Sequence, residues 1–281
     1  MIAAGSVVVT TKLVAQSLPP FTAACLRYGL ASAILLPWAW RRHGWPRLDW
    51  RDGLILLVQA GLGSLGFSVL MLWGLRSGDA ASASVATGTL PILVMAGTCV
   101  LRRQPPSLRL SAACLLAAGG TLAAIGPQPV NVAVFAAILC EAAFVSLDRA
   151  LRVPPPSLSI AALLCLGGMV LTAPGAMSES SAWAQAQWPL AAWASLLWHG
   201  VVGTVLGFVC WYAGTSVAGA AAAAPFTALF PLTGLLATAV VLGRPISDGA
   251  ALGGGLVIAA IFLAAGWSLV RRTLAEGTEK V

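Results

Sequence analysis

Residues 207–243 read GFVCWYAGTSVAGAAAAAPFTALFPLTGLLATAVVLG, two apolar runs joined by a neck of small residues, with Pro231 inside the second run. The pattern occurs twice, because residues 67–103 read FSVLMLWGLRSGDAASASVATGTLPILVMAGTCVLRR. Pro231 matches Pro91 at an offset of 140 positions, and glycines and a run of small residues share that offset. A fixed offset of this kind predicts an internal duplication.

The composition is that of a membrane protein. Of the 281 residues, 59% are hydrophobic and 9% are charged, and the mean hydropathy is +0.90. A soluble domain has about 25% charged residues, so too little polar surface exists here to face water. Apolar runs of about 20 residues recur, long enough for a helix to cross the hydrocarbon core. The net charge of +7 lies in short loops, which is typical of topology signals rather than of nucleic-acid binding.

The apolar runs predict ten spans, numbered 1–10, with five in each half. They cover about residues 2–15, 21–40, 53–75, 80–101, 108–125, 132–151, 158–177, 190–214, 219–242 and 249–270. Residues 1–128 would form the first five-helix repeat, residues 129–270 the second, and residues 271–281 a cytoplasmic polar tail. Span 1 is short, so either it is tilted and covered by its neighbours or the true start precedes Met1.

The basic residues are divided unequally between the two sides of the membrane. Twelve Lys and Arg fall in the loops after spans 2, 4, 6 and 8 and in the tail, whereas only Arg76 and Arg244 fall in the opposite loops. Lys and Arg accumulate on the cytoplasmic side. Both termini are therefore predicted to be cytoplasmic, in a bacterial inner membrane.

Five spans per repeat is an odd number, so the two repeats must cross the membrane in opposite directions. The loop between spans 2 and 3 carries four arginines, whereas the equivalent loop between spans 7 and 8 carries none and contains Glu179. The predicted fold is thus an all-α polytopic membrane protein with ten transmembrane helices in two inverted five-helix repeats. Inverted repeats are typical of transporters, whose halves rock around a shared site. A duplicated scaffold without transport is the alternative.

Several function classes are disfavoured by what the sequence contains. The six cysteines each lie inside an apolar run and lack the spacing of a metal site or a disulfide framework. No HExxH, GxSxG or P-loop pattern occurs. We therefore expect no enzyme, no metal, no cofactor and no nucleic-acid partner. The expected partners are the lipid bilayer, a small-molecule substrate and protons.

Ionisable side chains inside a span are costly and mark candidate functional positions. Glu141 lies about 14 Å into span 6, near the midplane. It could exchange protons or bind a substrate amine, or it is a neutral, hydrogen-bonded acid that fixes helix packing. His199, in span 8, could transfer a proton or polarise a substrate, or it hydrogen-bonds a neighbouring helix. Gln59, its partner at the 140-residue offset, is the polar candidate in span 3.

Two basic residues also lie inside spans, and structural roles are assigned to them. Arg27 lies about 9 Å below the outer surface in span 2, where snorkelling or bonding to carbonyl groups would hold the helix. Lys12, near the outer end of span 1, can snorkel as well. Asp148 lies near the inner end of span 6, across the membrane from Lys12, so it is expected to pair with Arg152, four residues on.

Aromatic side chains flank the neck of each copy, in spans 3 and 8. We expect them to line the substrate site through apolar and cation–π contacts; the alternative is an interfacial belt. The five are Phe67, Trp73, Phe208, Trp211 and Tyr212. Pro91 and Pro231 each remove one helical hydrogen bond, so the helices could bend there during transport or hold a static kink.

Short motifs occur in both halves. They are Leu18-Pro19-Pro20, Leu26-Arg27-Tyr28, Leu75-Arg76-Ser77, Thr89-Leu90-Pro91, Cys140-Glu141-Ala142, Gly214-Thr215-Ser216, Leu229-Phe230-Pro231 and Leu242-Gly243-Arg244. Together these motifs resemble the EamA-type members of the drug/metabolite transporter superfamily. The resemblance covers essentially the whole chain and implies a cavity between the halves. Gln104 and Arg244 stand where this family commonly has Glu, so no acidic role is carried over to them.

The resemblance implies a secondary active transporter that exports small metabolites, amino acids or drugs by alternating access. The alternatives are a proton-independent facilitator or exchanger and a non-transport membrane scaffold. Phosphorylated substrates are disfavoured, because they need several inward basic residues and only Lys12 and Arg27 lie within spans. A monomer suffices, since two fused halves can do within one chain what smaller relatives do as dimers.

Overall fold

The fold is helical throughout the part of the chain that the structure describes. The computed structural model describes residues 10, 14–15, 17–77, 89–103, 105–125, 131–147, 150–180, 189–218, 223, 226–227, 229, 233, 248–249 and 251–263. Spans 1 and 9 lie almost entirely outside these residues. So do three positions singled out from the sequence, which are Lys12, Asp148 and Pro231.

The described helices follow the predicted spans. They are α1 (Pro20–His43), α2 (Trp50–Gly61, Leu62–Val69 and Leu70–Ser77 in succession), α3 (Leu90–Arg102), α4 (Leu108–Ile125), α5 (Val132–Leu147), α6 (Ser157–Ser178), α7 (Leu190–Trp198, His199–Leu206 and Gly207–Ala218 in succession) and α8 (Ala251–Leu263). They correspond to spans 2–8 and 10. By length and composition, the four that could cross a membrane are Pro20–His43, Trp50–Leu75, Ser157–Ser178 and Leu190–Val217. A multi-pass membrane protein is confirmed; the count of ten helices stays a prediction.

Helix ends follow the local sequence. Pro20 occupies the first turn of α1, where its missing N–H removes no helical bond. The helix ends at Gly44, which has a φ of 69° in the left-handed region, a conformation that glycine adopts without strain. At the start of α2, the Asp49 carboxylate accepts a hydrogen bond from Trp50 N at 2.8 Å. These signals set α1 and α2 at either side of a short loop.

Helices α1 and α6 make the most extensive helix–helix contact among the described elements. Two glycines of α6 allow the close approach: Gly175 faces the Phe21 ring and Gly168 faces the Tyr28 ring, and a Cβ at either position would overlap that ring. Residue numbers rise along α1 as they fall along α6, so the two helices are antiparallel. In the predicted numbering, α1 and α6 are spans 2 and 7; the inverted repeats themselves stay a prediction.

Two carboxylates tie the first half of the chain to the second, at opposite ends of the α1–α6 pair. At one end, Glu179 accepts hydrogen bonds from Thr22 N and Thr22 Oγ1, both at 2.8 Å, and from Phe21 N at 3.3 Å. At the other end, the buried Asp52 accepts from Arg152 N at 3.1 Å and Val153 N at 3.2 Å. Glu179 thereby satisfies unpaired backbone donors in the first turn of α1, and Asp52 satisfies backbone donors in the segment before α6.

Replacing Glu179 by alanine is expected to lower the free energy of unfolding by about 1–3 kcal/mol, because partly buried donors at the start of α1 lose their acceptor. Thermal unfolding of the detergent-solubilised chain measures the change. Ser178→Ala is the matched control, since this exposed hydroxyl bonds only within its own helix, to Gly175 O. Equal unfolding midpoints for the two variants would show that the Glu179 contacts contribute nothing.

Large apolar side chains cover the outward faces of the helices. Leu57 on α2, Leu115 on α4, Leu197 on α7 and Phe262 on α8 are all exposed. Exposed apolar side chains on apolar helices such as these form the surface that a bilayer covers. The polar side chains that the spans contain are therefore turned toward the helix interfaces, where the candidate site lies.

Candidate functional site

Helices α2 and α7 each contain an eight-residue π-helical segment, Leu62–Val69 and His199–Leu206. In α2, Ser68 Oγ donates to the carbonyl of Gly63, five residues earlier, at 2.7 Å. Thr204 makes the equivalent bond in α7 at 3.1 Å, also over five residues. Wide π turns are frequent at functional sites, and here they occupy matching places in the two halves.

Arg27, on α1, is the centre of a buried polar cluster between these two segments. The side chain is 8% exposed. Its NH1 lies 2.7 Å from His199 Nε2, and its NH2 donates to Ser68 Oγ at 2.6 Å. The Tyr28 ring centroid lies 4.3 Å from Cζ, a cation–π contact. A guanidinium only donates, so His199 Nε2 is the acceptor and the imidazole carries its proton on Nδ1. We call Arg27, Tyr28, Ser68 and His199 the Arg27 cluster.

The snorkelling interpretation of Arg27 is wrong. Its guanidinium turns inward to His199 and Ser68 instead of extending to a membrane surface. Tyr28 strengthens the same junction, because its hydroxyl donates to Gly63 O at 2.9 Å and lies 2.9 Å from Ser68 Oγ. Sequence reasoning missed Tyr28 and Ser68. The signal that could have indicated them is that each lies in a predicted span that also holds a polar candidate.

Gln59 joins α2 to α5 and α7 from a fully buried position. Its Nε2 donates to Phe144 O at 2.9 Å and to Tyr212 Oη at 3.1 Å. Its Oε1 is buried without a hydrogen-bond partner. The Phe208 ring lies 5.8 Å from the Phe144 ring and 6.1 Å from the Tyr212 ring. We call Phe144, Phe208 and Tyr212 the aromatic group; it adjoins the Arg27 cluster, since the Phe144 ring packs on Gly63.

Glu141 lies on α5, beside the same π segment. The preceding residue, Cys140, packs directly on Gly66. The carboxyl group of Glu141 is within electrostatic range of the Arg27 guanidinium. Among the described residues, the contacts of that guanidinium are with neutral groups, so Glu141 and Arg27 form no ion pair. The structure thus places an acid near, but not against, a buried cation.

The remaining sequence candidates are dispersed. Phe67 and Trp211 are partly buried and pack against the hydrophobic core. Trp73 is 61% exposed and lies on the outer surface in a shallow groove beside Asn131, apart from the Arg27 cluster. Pro91 falls in the first turn of α3, where a proline removes no helical bond. The expected broken hydrogen bond at Pro91 therefore does not occur in the described helix.

The site combines a permanent cation, a carboxyl group, a neutral imidazole and an amide within an apolar interior. Within the described part of the chain, no three His, Cys, Asp or Glu side chains come together in a way that could hold a metal ion. The polar groups come from both halves of the chain. The first half contributes Arg27, Ser68 and Gln59, and the second half contributes Glu141 and His199. Such an arrangement can bind a small polar molecule and exchange protons with it.

Apolar helices around a buried polar cluster define this chain as a multi-pass membrane protein with an interior site. The EamA-like transporter family matches it twice, at residues 1–126 and 129–266. The uncharacterized transporter YetK of Bacillus subtilis strain 168 is 28% identical over 271 residues, which cover 92% of this chain and 82% of YetK. The chain belongs to the EamA-like transporter family and is a membrane transport protein.

A protein of known crystal structure shares the fold. It superimposes with a TM-score of 0.73 at 19% identity, over 94% of each chain. At this identity the similarity concerns the arrangement of helices alone. The family resemblance that the motifs predicted is confirmed, and with it a membrane lipid environment and a small-molecule substrate.

Proposed function

We propose that this protein is a secondary active transporter that exports small metabolites, amino acids or drugs. The observation that carries the proposal is the buried contact between Arg27 and His199 at 2.7 Å, which joins the two halves at a polar site inside apolar helices. Residues 1–128 and 129–270 are the two inverted repeats that move against each other. Both termini are cytoplasmic, the membrane is a bacterial inner membrane, and one chain forms the complete transporter.

The substrate site lies at the Arg27 cluster and the aromatic group. Glu141 and His199 bind polar groups of the substrate and exchange protons with it, because each can gain or lose one proton. Gln59 contributes its unpartnered Oε1 as an acceptor. Phe208 and Tyr212 supply apolar walls, together with the partly buried Phe67 and Trp211. Trp73 is left out, since its side chain lies on the outer surface.

Alternating access needs contacts that can open on one side while they hold on the other. The Glu179 and Asp52 contacts meet this requirement, because they join the halves at opposite ends of the α1–α6 pair. The π segments of α2 and α7 lie between them and supply helix turns whose hydrogen bonding can rearrange. Opening therefore proceeds by exchange of hydrogen bonds rather than by exposure of the apolar core.

A proton-independent facilitator or exchanger is the second candidate. The neutral imidazole of His199, which accepts from Arg27, favours it, since a histidine held in this way need not take up a proton during the cycle. The two candidates differ in one respect: only a proton-coupled transporter accumulates substrate against its gradient when a pH difference is imposed.

Transport itself is tested with the purified chain in liposomes. Counterflow of labelled amino acids and cationic drugs is measured with and without a pH gradient, against protein-free liposomes. We expect counterflow of at least one compound, and accumulation only when the gradient is present. A well-folded sample without flux of any compound would contradict transport of these classes, and flux that ignores the gradient would favour the facilitator.

A further inference from the structure

Arg27 is a buried cation whose partners in the described part of the chain are all neutral. His199 Nε2 accepts a hydrogen bond from NH1, Ser68 Oγ accepts one from NH2, and the Tyr28 ring centroid lies 4.3 Å from Cζ. The third nitrogen, Nε, is buried, and its N–H has no hydrogen-bond partner. Among the Lys and Arg side chains whose burial the structure describes, Arg27 alone is buried. The guanidinium is thus held through NH1 and NH2, whereas its Nε–H lacks an acceptor.

A buried charge without a counter-ion is costly, and so is a buried N–H without an acceptor. One ligand can offset both costs. The Nε–H and the adjacent NH2 group form a side-on pair of donors whose geometry matches the two oxygens of a carboxylate. Since NH2 carries two protons, it can donate to a ligand while it keeps its bond to Ser68.

We propose that Arg27 binds the carboxylate of the transported molecule, and that the substrate is an organic monocarboxylate with an apolar, preferably aromatic, body. That this ligand is the transported substrate rests on the proposed transport function, whereas the binding of a carboxylate to Arg27 does not depend on it. A single guanidinium balances a single negative charge, which selects a monoanion over phosphorylated compounds. The aromatic group next to the Arg27 cluster accommodates the apolar body, because the Phe144 ring packs on Gly63 and Gly63 O accepts from Tyr28.

His199, Ser68 and Tyr28 act as positioning residues in this site. They hold the plane of the guanidinium so that Nε–H is presented to the ligand. Glu141 acts on the same guanidinium from α5, and an ionised Glu141 opposes a second carboxylate nearby. Carboxylate binding is therefore expected to be as strong or stronger in Glu141→Gln, whereas it is lost when the Arg27 charge is removed.

The test measures binding to the full-length chain in detergent by isothermal titration calorimetry and by the shift of the thermal midpoint. The probes are phenylacetate, its neutral amide phenylacetamide and the cation phenethylamine. We expect phenylacetate to bind best. Arg27→Gln should weaken the binding of phenylacetate by about tenfold or more, because one charge-assisted pair of hydrogen bonds is lost. Arg109→Gln is the matched control; Arg109 Nε donates to Leu263 O, between α4 and α8.

Arg27→Lys keeps the charge but not the paired donors, so its phenylacetate affinity should lie between those of the parent and Arg27→Gln. Equal binding of phenylacetate and phenylacetamide by the parent chain would overturn the proposal even if Arg27→Gln failed to fold. Stabilisation by chloride, with no response to phenylacetate, would overturn it too. Phenylacetate binding without any flux in liposomes would contradict transport alone, and flux of cations without phenylacetate binding would contradict the carboxylate site alone.

Discussion

Replacing Glu141 by glutamine is expected to abolish accumulation driven by a pH gradient while substrate exchange continues. Glutamine keeps the size and hydrogen-bonding capacity of the side chain but cannot carry a proton. In the proposed cycle a proton crosses the membrane as the substrate moves outward. Without Glu141, α5 has no side chain that can carry this proton. Accumulation in liposomes should fall to the level measured without a gradient, and counterflow should remain.

The geometry explains why Glu141 is the acid to replace. It lies in the middle of α5, on the second half of the chain, within electrostatic range of Arg27 on the first half. A proton gained or lost there changes the charge balance at the contact between the halves. Asp49→Asn is the control, because its carboxylate lies in the loop before α2 and caps Trp50 at an exposed position. If Glu141→Gln retains the full gradient-driven accumulation, the proton role of Glu141 is wrong.

Hydropathy was sufficient to place the helices that the structure describes. The described bounds of α4 are the predicted ones, and α6 differs by one residue at each end. Helix α1 continues three residues past its predicted end, to His43, and Gly44 follows it as the C-cap. A hydropathy pattern ends where polar residues begin, whereas a helix ends where the backbone turns. Basic residues are favourable in a last helical turn, so the polar end of α1 remains helical.

The π segments could not be predicted in this way. Both lie in runs where nearly every residue is apolar or small, and in such runs a helix with 3.6 residues per turn and a wider one leave the same hydropathy pattern. The hydroxyl bond over five residues, from Ser68 to Gly63, becomes visible only in the folded chain. For the same reason the outward position of Trp73 could not be predicted, since a helix that is apolar all round does not show which face is buried.

The candidate site was predicted in part. Glu141, His199, Gln59 and Arg27 were identified because each interrupts an apolar run, and the structure brings His199 and Arg27 into contact. Their neutral partners could not be identified from composition, because serine and tyrosine are ordinary in any helix. Which serine meets Arg27 depends on how α1 packs on α2, and the apolar pattern of the two helices does not specify that packing.

The packing of α2 on α5 leads to the last prediction, a substitution at Gly66. A Cβ at this position would lie 2.7 Å from both Cβ and Sγ of Cys140, so the two helices must separate. Gly66→Ala is expected to lower the free energy of unfolding by about 1–3 kcal/mol, the range for overpacked interiors. Gly61→Ala, in the same helix, is the control, because its Cβ would meet Leu171 Cδ1 at an ordinary 3.7 Å.

A compensating change separates steric overlap from other causes. Cys140→Gly removes both atoms that Gly66→Ala would strike, so the double variant should regain stability relative to the sum of the single changes. Thermal unfolding in detergent measures all four members of this cycle, and a coupling energy of about 0.5–3 kcal/mol is expected for residues in contact. Additive effects would mean that α2 and α5 do not pack through Gly66. Glu141 on α5 would then not be held in a fixed position beside the π segment of α2, and a proton on Glu141 could not act on Arg27 as the proposed coupling requires.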